Sequence, residues 1–343
     1  MPHFFKSILI RNLLSFGHSS PELELKPINI IIGPNGSGKS NLLAALSLFR
    51  SQKERHSIIE NSGGVQNWCW MSNADNQEAS IKVLFESAEK YGTHFFEVGL
   101  KKDEAIHFSD FRVHPTDPKA NVDILGKIID EFHDSLFFFR DWQYGPTAPI
   151  RSGPQPIDFS NSRIRGDARN LAHVLRRIKS DKRSHQVFMD YLSELYEDVD
   201  DIGFTEAEDF LFFFVIENGR KVPAARISDG TLRYLALLAV LCDPEPTHLI
   251  CLEEPEMGLH PDLIQIVAKA IRYASERTQI IATTHSVSLV DNFTDSPESI
   301  VVCEKIDGST ELRRLDPDEM KPWLEKYRLG NLWTSGQIGG NRW

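Results

Sequence analysis

Residues 33–40 read Gly33-Pro34-Asn35-Gly36-Ser37-Gly38-Lys39-Ser40, the spacing GxxxxGK[ST]. Glycines spaced in this way let the backbone fold tightly around phosphate oxygens, so that amide N–H groups and the start of the following helix face the anion. In such a loop Lys39 reaches the β- and γ-phosphates and the Ser40 hydroxyl ligates Mg²⁺, with Asn41 completing the nucleotide-contacting run. A second group closes the apolar run His248-Leu249-Ile250-Cys251-Leu252, which ends in Glu253 and Glu254. There Glu253 holds Mg²⁺ through water and Glu254 orients or deprotonates the attacking water. A third run, Gln279-Ile280-Ile281-Ala282-Thr283-Thr284, leads into His285 and Ser286, placing an imidazole where it senses a γ-phosphate. Paired acids at a strand end also serve as solvent-facing punctuation, and a histidine after a buried strand is often structural. The phosphate-binding loop upstream decides for the chemical reading.

These groups need particular elements behind them. Ile28–Ile32 is a short apolar run of the buried-strand type, and Leu42, Leu43, Leu46 and Phe49 then recur at helical spacing over 38–50. Segments 80–86 and 93–100 alternate as strands, and Pro- and Gly-containing residues 145–156 read as a loop. A helical pattern covers 167 to about 197, a strand Phe210–Ile216 and a strongly apolar helix 229–242. Strand 248–252, helix 261–275, strands 278–283 and 299–303, and a helix near 318–327 follow. Strands alternating with helices predict an α/β architecture around a largely parallel sheet. The run Ile227-Ser228-Asp229-Gly230-Thr231-Leu232-Arg233 opens the apolar helix, where Ser228 or Asp229 caps the first-turn amides. Such an end is also an anion site.

Composition sets the outer bounds. The 343 residues carry 38 Lys+Arg against 49 Asp+Glu, a net charge of −11, which argues against coating DNA or an anionic membrane through overall charge. The charge is unevenly placed: residues 151–185 hold nine Lys/Arg against three Asp, whereas 186–219 hold ten Asp/Glu and no Lys or Arg. The four cysteines, Cys69, Cys242, Cys251 and Cys303, form no CxxC pair, which fits a reducing cytoplasm. Neither a signal peptide nor a transmembrane run is expected. The phenylalanines at 137–139 and 212–214 are expected in the core, and Asp198–Asp201, Asp316 and Asp318 in solvated loops.

With its motifs in this order, the chain resembles the ATP-binding-cassette ATPases of the SMC/RecF type. The strings INIIIGPNGSGKSNLLAAL, SDGTLRYLALLAVL, CLEEPEMGLHP and IIATTHS carry the match. More narrowly, it is similar to a bacterial group of RecF-like AAA-family ATPases, whose tail Tyr327-Arg328-Leu329-Gly330-Asn331-Leu332-Trp333 with Gly339-Gly340 it shares. The resemblance implies a P-loop NTPase fold, a two-lobed ABC/SMC-type head with a short helical insert and no coiled coil. Its expected ranges are 1–150 for the first lobe, 151–200 for the insert and 201–343 for the second lobe. ATP and Mg²⁺ are the implied cofactors. The chain would act as a head-to-head homodimer in which Ser228 and Gly230 cap the γ-phosphate held by Lys39 of the partner subunit. Glu256-Met257-Gly258-Leu259-His260 matches the loop that communicates across that interface. Arg11 stands where related ATPases approach the nucleotide. Gln143 is the assigned magnesium- or water-contacting glutamine, with Gln66 and Gln155 as competitors.

Two departures bear on function. The first acid is Glu253 where the superfamily usually has Asp, and SDGT differs from the transporter signature LSGGQ. The expected role is an ATP-gated ATPase in DNA repair or in defence against foreign DNA such as phage, touching DNA through the basic 151–185 stretch. The alternative is a regulatory ATPase that controls a separately encoded nuclease or toxin without binding DNA.

Overall fold

In the computed structural model of the chain, the structure describes residues 4–70, 78–87, 92–101, 108–115, 122–140, 144–145, 147–152, 155–156, 164–165 and 168–340. The chain divides into two compact units that interleave along the sequence. One comprises 1–138, 248–254 and 278–343, and the other 139–247 and 255–277.

The first unit is organised by Ile28–Ile32, a strand buried at every position. A strand without a polar face needs cover on both sides, and a parallel sheet supplies it. The six-stranded sheet runs Ser309–Arg314, Ile300–Ile306, Ile28–Ile32, Gln279–Thr283, Leu249–Glu253, Leu136–Phe139. The four strands from Ile300–Ile306 to Leu249–Glu253 are parallel, and Ser309–Arg314 returns antiparallel as a hairpin. Thr283 pairs with Ile31 on one side and Glu253 on the other. The carboxyl ends of three strands therefore reach one edge of the sheet, where ligands bind in open α/β sheets. The helix Lys39–Ser47 rises from that edge and buries Leu42, Leu43 and Leu46 in one core with Ile31, Cys251, Ile281 and Val301. The same unit holds a five-stranded sheet ordered Leu23–Glu24, Phe5–Arg11, Ala79–Glu86, Thr93–Lys101, Phe108–Pro115, antiparallel throughout. Gln279 joins the two sheets: its Oε1 accepts from Phe5 N at 2.7 Å and its Nε2 donates to Phe5 O at 2.9 Å. Phe5, Phe85, Phe96 and Phe132 pack together there, with Phe96 stacked on Phe132 at 3.8 Å between centroids.

In the second unit, the helix Asp229–Cys242 is buried at every position from Tyr234 onward. Helices Leu171–Ser180, Lys182–Ser193 and Ile264–Ser275 pack against it. At 14 residues it is the longest described helix, so the described residues contain no coiled-coil arm. Beside these helices, Phe210–Glu217 pairs with Arg220–Pro223, with Gln155–Pro156 and along its length with Val199–Ala207.

Several local expectations change. The helical stretch expected over 167–197 breaks at Asp181, whose extended backbone and carboxylate, accepting from Ser184 N at 2.7 Å, start a new helix. The 145–156 stretch, expected as a loop, includes the short helix Pro149–Ser152 and the strand Gln155–Pro156. Asp198–Asp201, expected in a solvated loop, runs from a turn at Asp198 into the strand Val199–Ala207. Asp201 is no solvated acid, because it accepts from Lys179 Nζ at 2.6 Å and lies 3.0 Å from His185 Nε2. Asp316 caps the helix Pro317–Leu324 by accepting from Asp318 N. Phe137–Phe139, Phe213 and Phe214 are buried as expected, but Phe212 is 40% exposed, because it alternates out of its strand. All four cysteines are free thiols. Among the described residues no helix is long and apolar enough to cross a membrane.

Candidate functional site

The phosphate-loop residues sit between the buried strand Ile28–Ile32 and the helix Lys39–Ser47. Gly38 takes φ +118, and a Cβ there would meet Thr310 Oγ1 at 2.2 Å, so no other residue fits. Thr310 in turn donates to Ser37 O at 2.7 Å and bonds Ser15 Oγ at 2.7 Å, while Asn41 Nδ2 donates to Ser15 Oγ at 2.8 Å. The hairpin strand Ser309–Arg314 and the turn after the first strand thus brace the loop from behind. Lys39 is buried, and its ammonium donates to Gly33 O at 2.8 Å and Pro34 O at 3.0 Å. Burial lowers its pKa, and the charge of Glu254 works against that shift. Asn35, Gly36 and Ser40 are exposed on the open side, and Pro34 is half-buried.

Glu253 ends its strand half-buried, and Glu254 follows in the left-handed region at φ +45 with its N–H bonded to Thr283 O at 3.0 Å. A non-glycine residue held there stores roughly 1–2 kcal/mol of strain, which points the carboxylate away from the strand direction. His285 Nε2 lies 3.5 Å from Glu254 Oε1, with both side chains about a third exposed. Burial and the nearby Lys39 ammonium push the His285 pKa below its ordinary value, against the opposing pull of Glu254. The backbone around His285 is fixed by Thr284, whose Oγ1 accepts from Ser286 N, and by Ser286, whose Oγ caps the helix Val287–Asp291. Lys39, Glu253, Glu254 and His285 are thus gathered at one sheet edge. Thr283 Oγ1 is buried there with no protein partner. The Ser40 hydroxyl, the Glu253 carboxylate and this unpaired oxygen are of the hard donor type that a cation such as Mg²⁺ takes.

In the other unit, Ser228 caps the helix Asp229–Cys242, with its Oγ accepting from Thr231 N at 3.1 Å. Gly230, in the first turn, lies close to Gly258: a Cβ on Gly230 would stand 3.6 Å from Gly258 O. The loop 256–260 and the capped helix therefore form one surface. Sequence reasoning missed what holds this end. Arg151, its side chain 7% exposed, donates to the carbonyl oxygens of Tyr144, Ala224, Ala225 and Ile227 and pairs with the Asp229 carboxylate. No local pattern announces a contact spanning 78 positions. Arg11 is exposed at the end of its strand. Gln143 lies outside the described residues. Of its competitors, Gln66 is exposed, and Gln155 is buried, accepting from Ala172 N at 2.7 Å. The tail is docked on the core: Trp333 Nε1 donates to Gly340 O at 2.8 Å, and Arg313 Nη2 to Ile338 O at 2.9 Å.

The fold is that of a P-loop NTPase head. An SMC head solved with the C-terminal winged-helix domain of ScpA superposes with a TM-score of 0.67 at 14% identity, over 93% of this chain and 99% of that one. The Pyrococcus furiosus SMC head with an extended coiled coil gives 0.66 at 14% identity, over 95% and 99%. The Thermotoga maritima SMC head gives 0.51 at 14% identity, over 91% and 99%. A family model described as "AAA domain, putative AbiEii toxin, Type IV TA system" matches residues 28–291, more than half of the chain. The chain belongs to that family. An uncharacterized protein of Methanocaldococcus jannaschii, MJ1542, is 25% identical over 253 residues, 68% of this chain. The chain spans about 30% of that protein's length.

Proposed function

We propose that the chain is a Mg²⁺-dependent ATPase working as an ATP-gated homodimer, in DNA repair or in defence against foreign DNA. The observation that carries the reading is the gathering of Lys39, Glu254 and His285 at one sheet edge, with Glu254 held in a strained backbone and 3.5 Å from the imidazole. Gly33–Asn41 would hold the phosphates, and Lys39 would exchange its bonds to Gly33 and Pro34 for phosphate oxygens. Ser40 and Glu253 would hold Mg²⁺, which neutralises charge building on the leaving phosphates. Glu254 would take the proton of the attacking water, and His285, neutral near pH 7, would donate to the γ-phosphate. Ser228 and Gly230 would close on the nucleotide of the second subunit.

Two routes lead from the dimer to a biological output, and one observation favours control of a protein effector over direct DNA contact. Five cations of the 151–185 stretch are tied to acids: Arg151 to Asp229, Arg176 to Glu206, Arg177 to Asp243, Lys179 to Asp201 and Arg183 to Glu276. Paired cations release fewer counterions on meeting a phosphate backbone, so the stretch loses much of its pull on DNA. The family description, which names a toxin system, points the same way.

The test is chromatographic and enzymatic. Glu254→Gln should bind ATP, hydrolyse it at least ~10²-fold more slowly and elute as a dimer when ATP is present. Lys39→Ala should bind no ATP and stay monomeric. A Glu254→Gln protein that remains monomeric with saturating ATP sinks the gated dimer.

A further inference from the structure

We infer that the docked tail, residues 329–340, is a positioning element of the nucleotide site that ties the helix after His285 to the first glycine of the phosphate loop. The inference rests on the ATPase reading and adds Asp291, Trp333 and Gly340 to the residues that govern it.

One end of the tail sits on the helix Val287–Asp291. That helix has five residues and starts immediately after His285 and its cap Ser286. A helix so short has no stability of its own, so its position follows from what packs on it. The tail helix Leu329–Thr334 does so closely: Gly330 N donates to Asp291 Oδ1 at 2.7 Å, and a Cβ at Gly330 would meet Asp291 Oδ1 and Val287 Cγ1, each at 2.6 Å. Leu329 N donates to Thr294 Oγ1, and Leu329 and Leu332 are buried.

The other end reaches the phosphate loop. The Trp333 indole, itself buried, bonds Gly340 O and closes the stretch between them. Gly340, at φ +69, donates its N–H to Glu304 Oε1 at 2.9 Å. A Cβ on Gly340 would stand 3.0 Å from Val302 Cγ1 and 3.5 Å from Gly33 Cα. Gly33 begins the phosphate loop, so the tail touches the nucleotide site at its start and the His285 support at its far side. Displacements of reacting groups by about 1 Å change rates by orders of magnitude, which is why such a tie matters to catalysis.

The two ends separate in kinetics. Asp291→Ala frees the helix that follows His285, and kcat should fall about tenfold with KM for ATP within about twofold. Asp291→Asn keeps an acceptor for Gly330 N–H and should restore wild-type kcat. Gly340→Ala pushes on Val302 and the start of the loop, and ATP affinity should weaken about fivefold, read by equilibrium titration with a fluorescent ATP analogue. If Asp291→Ala and Gly340→Ala lower the melting temperature but keep wild-type kcat, KM and affinity, the tail is a structural plug and the inference falls. If the wild-type protein neither binds nor hydrolyses ATP and matches Lys39→Ala, the ATPase reading fails first and takes the inference with it.

Discussion

Glu254 and His285 meet at 3.5 Å, and the surroundings of each side chain shape the pair. The carboxylate follows a buried strand, and its left-handed backbone, at φ +45, turns it off the strand axis toward the imidazole. His285 keeps a lowered pKa from burial and from Lys39, which favours the uncharged imidazole at neutral pH. The sign of the pH effect follows. The folded state resists the proton that an unfolded histidine takes up near 6.5, so stability is complete above 6.5 and declines as pH falls from there toward the lower folded value. The ATPase rate should therefore hold at pH 6.5 and fall only below it. His285→Gln should remove that acid limb and lower kcat by about 10²-fold. A limb that persists unchanged in the glutamine variant assigns it to another group. Lys39, Glu253, Glu254 and His285 were all identifiable from type and order, because each follows a short apolar strand that the chain spells out locally. Ser15 and Thr310 were not, since their bond closes over 295 positions and no local spacing encodes it.

The helix Asp229–Cys242 illustrates the same division among the elements. Its range was predictable to the residue from its apolar length and its Ser228 cap, whereas the arginine that fixes its start was not. Arg151 donates to the carbonyls at 224, 225 and 227, the first of which also accepts from Ile227 N, and its fork also meets Asp229. A lysine presents one compact charge and cannot reproduce this fan of bonds. Arg151→Ala should destabilise folding by about 2 kcal/mol in urea denaturation, because the Ile227 carbonyl, on a buried residue, loses its Arg151 donor and the Asp229 carboxylate loses its ion pair. Arg151→Lys should recover less than half of that loss. Full recovery by lysine would mean that charge alone, rather than the planar fork, holds the loop. The strand Val199–Ala207 escaped the sequence reading for a related reason. Its exposed face is acidic, and Asp201 and Glu206 are at home in a strand only because Lys179, His185 and Arg176 come to meet them.

Over the whole molecule, net charge and charge placement part company. The −11 of the sequence is accompanied by a stretch of +6 at 151–185, and in the folded chain five of its nine cations are paired with acids rather than presented bare. Glu254→Gln loaded with ATP should therefore bind duplex DNA no more than about threefold tighter than Lys39→Ala at 0.15 M salt, with a shallow salt dependence. A steep slope of log affinity against log salt, gained only with ATP, would restore direct DNA contact as the output.

The interleaving of the two compact units has a consequence for how the protein comes into being. The strand that carries the phosphate loop is paired on one side with residues near 280 and on the other with residues near 300, and the brace behind Gly38 comes from Thr310. At ribosomal speeds of roughly 5–20 residues per second, Lys39 waits about 13–50 s for these partners to emerge. Throughout that interval the nascent chain has a phosphate-binding sequence but no sheet in which to seat it. A ribosome that stalls before residue 300 releases a fragment in which the strand leading to the phosphate loop lacks one of its two parallel neighbours.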